Sequence, residues 1–179
     1  MKFWGNLIGY QIVWFSAVIG AGRGLWWPGV LAAAAFALWQ LSTSSQPRAE
    51  LRLIPVAIVC GTLLDGGLAL SGFARYAAGE PALFGGAPLW IVSLWAAFSL
   101  TLLHSMTFLL NRPVIAAVFG AIGGPLAYLG AARGWQAIVF VEPRWTALLM
   151  LAIGWGFAIP LLSMLAGRWS QPALKPQSA

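Results

Sequence analysis

Six apolar runs, each close to the length a bilayer demands, decide what this chain can fold into. A helix needs about 20 apolar residues to cross the hydrocarbon core. The runs fall at Phe3–Gly20, Leu25–Leu41, Leu53–Ala74, Pro88–Leu110, Pro113–Ala132 and Trp145–Ala166. The expected fold is an all-α, polytopic transmembrane helical bundle of six spans. Five remain if the short second run, which opens on Trp26-Trp27-Pro28, is re-entrant or tilted. One transmembrane domain then covers residues 1–168. The tail, 169–179, is polar and proline-containing, and is expected to be disordered.

Composition agrees with that parse. The chain is 60% hydrophobic and 8% charged, against about 25% charged for a soluble domain. Its formal charge of +6 comes from bases scattered singly between apolar runs. That pattern suits topology signals and not a phosphate-tracking patch, so no nucleic-acid partner is expected. A single cysteine, Cys60, excludes an internal disulfide. The first run follows Lys2 as a signal peptide's would, but Asn6, Gln11 and Trp14 interrupt it and no small-x-small cleavage site follows. It reads as a retained first helix.

Pro88 and Pro113 sit at or near first helical positions, where the missing N–H costs nothing. The connection Asn111-Arg112 is so short that the fourth and fifth helices are expected to be antiparallel neighbours. With six spans, Lys2, Arg48, Arg52, Arg112, Arg168 and Lys175 share one side, and Arg23, Arg75, Arg133 and Arg144 the other. The excess places both termini in the cytoplasm. Tryptophans 4, 26, 27, 90, 135, 145 and 169 fall near span ends and read as an interfacial belt. Trp14, Trp95 and Trp155 fall deeper and read as packing residues.

Asp65, in Leu63-Leu64-Asp65-Gly66-Gly67, puts a carboxyl group near the middle of the third run. His104, the one histidine, lies in the fourth. Ionisable groups in a bilayer are costly and mark functional sites by default. Asp65 is expected within about 2–3 Å of its span's midpoint and His104 roughly 7 Å from its own. Their offset of about 9–10 Å along the normal means that direct contact needs tilt, favourable rotamers or a bridging water. Asp65 is either a hydrogen-bonded acid that fixes packing, or a proton-transfer group or site for a cationic or hydroxylated ligand. His104 is either a packing histidine or its catalytic companion. One His and one central Asp are too few for a metal site.

Ser93, Ala97, Thr101, His104 and Asn111 fall near one helical stripe, with Ser105 beside it, so Thr101, Ser105 and Asn111 are candidate substrate-binding residues. Gly61, Asp65 and Gly72 make the matching face on the third span. Asn6, Tyr10 and Gln11 cluster towards the start of the first. In the fifth run Gly120 and Gly124 form a small-xxx-small packing pair. Pro125 frees a backbone carbonyl and is expected to kink the helix, leaving Tyr128 to offer its hydroxyl to a midplane cavity. No Gly-rich phosphate loop or nucleophile elbow is present, and no cofactor is expected.

These motifs carry a resemblance. Leu64-Asp65, Pro88-Leu89-Trp90, Trp95-Ala96-Ala97-Phe98, Leu103-His104-Ser105 and Gly120-Ala121-Ile122-Gly123-Gly124-Pro125-Leu126-Ala127-Tyr128 with Gly130 resemble a bacterial inner-membrane family filed as a domain of unknown function, DUF2878. The resemblance covers nearly the whole chain. It implies a small polytopic protein of the bacterial inner membrane, with no established activity to carry over. Members are often encoded near cyclopropane-fatty-acyl-synthase-like and flavin-oxidoreductase-like genes, which implies a role around membrane lipid modification. Leu103 departs from the polar residue, often Asn, expected in relatives, and so removes a possible hydrogen-bonding partner of His104.

Three function classes follow. The first is an accessory or enzyme acting on membrane lipids, with Asp65 and His104 in a midplane cavity. The second is a small proton- or ion-coupled carrier or channel using Asp65. The third is a structural or assembly subunit that packs on a membrane-protein partner, or on its own copy, through Gly120 and Gly124.

Overall fold

The apolar runs become six α-helices in a computed structural model that describes residues 2–170. They are α1 (Lys2–Gly22), α2 (Trp27–Thr43), α3 (Pro47–Leu70), α4 (Leu89–Ser99), α5 (Pro113–Trp135) and α6 (Arg144–Ser170). The fold is an all-α helical bundle, in which α3, α5 and α6 are each long and apolar enough to cross a bilayer. Its polarity is that of a membrane protein. Leu70 and Phe157 are 77% and 76% exposed on the outside, while Asn6, Gln40, Glu50, Asp65 and Ser105 are buried within. A protein surrounded by water would not expose so many large apolar side chains.

Pro28, Pro47 and Pro113 each open a helix in its first turn. Helix α3 therefore begins at Pro47, six residues before the third apolar run opens at Leu53, and carries Glu50 in its first turn. A carboxyl group there complements the positive end of the helix. The 24-residue helix is about 36 Å long. Its middle falls near Val59, so Asp65 lies about 10 Å beyond it and not at the midpoint expected. Past Leu70, Gly72 takes a positive φ and turns the chain into β1 (Ala74–Tyr76). This strand pairs antiparallel with β4 (Ile138–Phe140), beyond α5. Between α3 and α4, β2 (Ala82–Leu83) pairs with β3 (Ala87–Pro88).

The fourth span corrects the expected Pro88–Leu110 helix, because α4 ends at Ser99. Ser93, Ser99 and Thr101 each donate a side-chain hydroxyl to the carbonyl three residues back. Such bonds compete with the helical ladder. The backbone goes over to bonds of three-residue reach at Thr101 and Leu102, then runs irregularly to a 3₁₀ turn at Thr107–Leu109. The segment still crosses the bundle. Trp95 touches Asp65 near the end of α3, and His104 touches Glu50 in its first turn, roughly 22 Å away along the helix. This fourth traverse is thus half helix and half irregular backbone. Because residues 100–112 all belong to the connection, α4 and α5 are not the antiparallel pair expected from Asn111-Arg112. Helix α5 packs chiefly on α6.

Two smaller expectations also change. Trp90 is buried and donates its indole N–H to Ala77 O, so it is not a belt residue. Residues 169 and 170 continue α6, and the rest of the tail lies outside the described residues.

Candidate functional site

Asp65 is fully buried where three separate segments of chain converge. One oxygen, Oδ1, accepts hydrogen bonds from the Tyr76 and Tyr128 hydroxyls, both at 2.7 Å. The other, Oδ2, accepts the Trp95 indole N–H at 2.8 Å. Tyr76 arrives on β1, Tyr128 on α5 and Trp95 on α4, so one carboxyl group ties the strand and two helices to α3. Gly61, one turn before Asp65, makes room for Trp95, since a Cβ there would sit 2.3 Å from the indole ring. On β1, burial and then the charge of Asp65 hold the Tyr76 phenol well above its ordinary range, which keeps it a donor.

Trp95 also stacks on Trp155 of α6, with ring centres 3.9 Å apart and planes 16° from parallel. Phe98 and Tyr128 meet Trp155 edge-on. The small face of α5 admits Trp155: a Cβ on Gly124 would lie 2.5 Å from its ring, and one on Gly120 2.2 Å from its carbonyl oxygen. Gly120 and Gly124 are therefore filled from within the chain. Pro125 sits inside α5, and the helix continues unbroken to Trp135. Beside this stack lies a cavity of about 300 Å³. Its walls include Tyr10 of α1, Trp95 and Phe98 of α4, Gly123 and Tyr128 of α5, and Trp155.

A second polar cluster occupies the opposite end of the bundle. Glu50 Oε1 contacts His104 Nε2, and Gln40 Nε2 approaches the same ring nitrogen at 2.6 Å. Ser44 Oγ donates to Glu50 Oε1 at 2.9 Å. Asn6 Nδ2 donates to Gln40 Oε1 at 2.8 Å and to Leu100 O at 3.0 Å, and its Oδ1 accepts the Ser105 hydroxyl at 2.6 Å. Asn6 thus satisfies backbone that α4 has abandoned. Non-helical backbone at membrane depth is tolerated only where protein or a cavity provides such partners.

The structure brings Asp65 and Tyr128 together but keeps His104 apart from both. His104 pairs with Glu50 and Gln40, and Ser105 with Asn6. Thr101 is buried, and its hydroxyl bonds to Phe98 O. Asn111 lies at the bundle's end in the left-handed conformation, φ 59°, close to Gly167. Sequence reasoning missed Tyr76, Trp95, Gln40 and Glu50 as partners. Gln40 and Glu50 carried a usable signal, as polar residues within or beside apolar runs. Trp95 carried none beyond its depth. Among the described residues no three His, Cys, Asp or Glu side chains converge as a metal site would need.

Residues 3–161 match the model of a family described as protein of unknown function, DUF2878. No curated protein and no solved structure matches the chain.

Proposed function

Because the chain belongs to the DUF2878 family, whose description names no activity, we propose its function from the cavity: it binds the apolar part of a membrane lipid between its helices. The binding serves membrane lipid modification, with the protein as accessory or enzyme. The observation that carries this reading is the aromatic-walled cavity of about 300 Å³ beside the Asp65 cluster. Largely apolar clefts with a few placed polar groups are typical ligand sites. Gln11 on α1 is exposed, and Phe119 and Gly123 on α5 are half-buried, and all three line the cavity. It therefore reaches the outer face of the bundle between α1 and α5, where an acyl chain would enter sideways.

Asp65 holds the wall rather than the reacting atoms. It lies behind Tyr128 and Trp95, which line the cavity and owe their orientation to its two oxygens. A carrier using Asp65 would first have to detach three donors from it. An assembly subunit using Gly120 and Gly124 would have to displace Trp155. Both readings ask more of the geometry than lipid binding does.

The setting is a bacterial inner membrane crossed several times, with both termini in the cytoplasm. Arg48, Arg52, Arg112 and Arg168 gather at the end that holds Glu50, and the count of bases read from the sequence, six against four, favours that end as the cytoplasmic one.

Whole-membrane lipid mass spectrometry on cells lacking the protein tests the role. Wild type is expected to restore a lipid species that Gly123→Leu, which fills the cavity, does not. An unchanged lipid profile in the deletion overturns the lipid role.

A further inference from the structure

The middle of α1 presents two polar side chains that bond to nothing around them. Tyr10 and Gln11 are the ninth and tenth of its 21 residues, so both stand within about 3 Å of the helix midpoint. Tyr10 packs its ring edge-on against Phe98, with centres 5.8 Å apart, yet its hydroxyl finds no hydrogen-bond partner among the described residues. That oxygen is not sealed in protein, and Tyr10 and Gln11 both line the cavity. Gln11 is exposed at the mouth between α1 and α5, on a face it shares with the exposed Ile8, Ile12 and Phe15. Its amide is likewise without a partner among the described residues.

An unpaired hydroxyl and an unpaired amide are costly at that depth, because hydrocarbon offers them nothing to bond. Phenylalanine and leucine would make the same apolar contacts without that cost. What pairs them is set by the rest of the lining. Tyr128, the other hydroxyl in the wall, is committed to Asp65 Oδ1, and the Trp95 N–H to Oδ2. No lining residue is charged, so a free carboxylate or a phosphate head group would be buried without a counter-charge. Tyr10 has one O–H to give and Gln11 two N–H. An uncharged carbonyl oxygen, with its two lone pairs, can accept one bond from each.

We propose that Tyr10 and Gln11 are the polar contact of the ligand site, and that they hold an uncharged carbonyl oxygen of an otherwise apolar molecule at mid-membrane depth. The inference rests on the lipid-binding reading and adds the functional group by which the ligand is recognised. An acyl ester and the ring carbonyl of a lipid quinone share that chemistry. In either case the oxygen stops at α1, and the apolar remainder lies against the aromatic wall.

Full-length protein stripped of lipid in detergent tests this by titration with four probes, with binding read by native mass spectrometry. Dioleoylglycerol carries ester carbonyls, decylubiquinone carries ring carbonyls, oleate is charged, and 1-octadecene has no oxygen. One of the two uncharged carbonyl probes is expected to bind more tightly than octadecene and oleate, and the tighter of the two identifies the source. Tyr10→Phe and Gln11→Leu should each weaken that probe about two- to tenfold, the weight of one hydrogen bond, and leave octadecene unchanged. Without ligand, Tyr10→Phe should unfold at the wild-type temperature, because the hydroxyl it removes holds nothing in the protein. Carbonyl probes that bind no tighter than octadecene, or that either variant leaves unchanged, overturn the proposal, and so does tightest binding of oleate. If lipid carried through purification is still lost on Gly123→Leu, those results leave the lipid-binding reading standing. A wild type that binds none of the probes and carries no lipid of its own overturns both.

Discussion

Trp95 donates its indole N–H to Asp65 at 2.8 Å and in the same pose lays its ring flat on Trp155. One side chain thus couples the polar cluster at the end of α3 to the aromatic wall of the cavity. Gly61 on one side and the Gly120/Gly124 face on the other provide the space for the two stacked indoles. Wall and carboxylate are one construction, and the following consequences can be measured.

Asp65→Leu leaves two phenols and one indole as buried donors without an acceptor. Each orphaned donor costs about 1–3 kcal/mol, so the variant should be strongly destabilised in thermal unfolding in micelles. Tyr76→Phe removes one donor and leaves the carboxylate two, and should cost less. Adding Tyr76→Phe and Tyr128→Phe to Asp65→Leu should recover stability, because the orphaned donors go with them. Full additivity of the three losses would contradict the cluster.

Adjacent glycines in α5 should respond in opposite directions. Gly124→Ala places a methyl group 2.5 Å from the Trp155 ring, and overpacking of this kind costs about 1–3 kcal/mol. A Cβ on Gly123 meets nothing within 4 Å, and alanine is favoured over glycine in a helix by up to about 1 kcal/mol. Gly123→Ala should therefore be neutral or stabilising by the same unfolding measurement. Equal effects at the two positions would place Trp155 elsewhere.

Asn6→Leu should loosen the second half of the fourth traverse while sparing the first. It strips the partners from Leu100 O, Ser105 and Gln40. Hydrogen exchange of amides 101–106 should accelerate more than tenfold relative to those of α4. Unchanged protection there would mean that Asn6 does not hold the irregular segment.

How far the sequence reaches can be seen residue by residue. Hydropathy finds the helices because lipid imposes length, and Asp65 and His104 stand out because charge in an apolar run is rare. The end of α4 is hidden, since leucines continue to residue 110 while short-range bonds from Ser99 and Thr101 hydroxyls decide where the helix stops. Glu50 falls outside the third apolar run because hydropathy drops at Gln46–Glu50. Pro47, a helix-opening residue three positions before an acid, was the signal for a helix there. The convergence of Tyr76 and Tyr128 on Asp65 depends on β1 folding back beside β4, a pairing of three residues with three that leaves no periodic trace.

The central claim is that a lipid-class molecule occupies the cavity between α1, α4, α5 and α6. Native mass spectrometry of the gently purified protein tests it most directly, with Gly123→Leu as the plugged control and Gly123→Ala as the open one. The account predicts a bound lipid on wild type and Gly123→Ala that is lost, or reduced at least tenfold, on Gly123→Leu. Equal lipid retention by all three folded proteins, or none on wild type across a range of mild detergents, would contradict it.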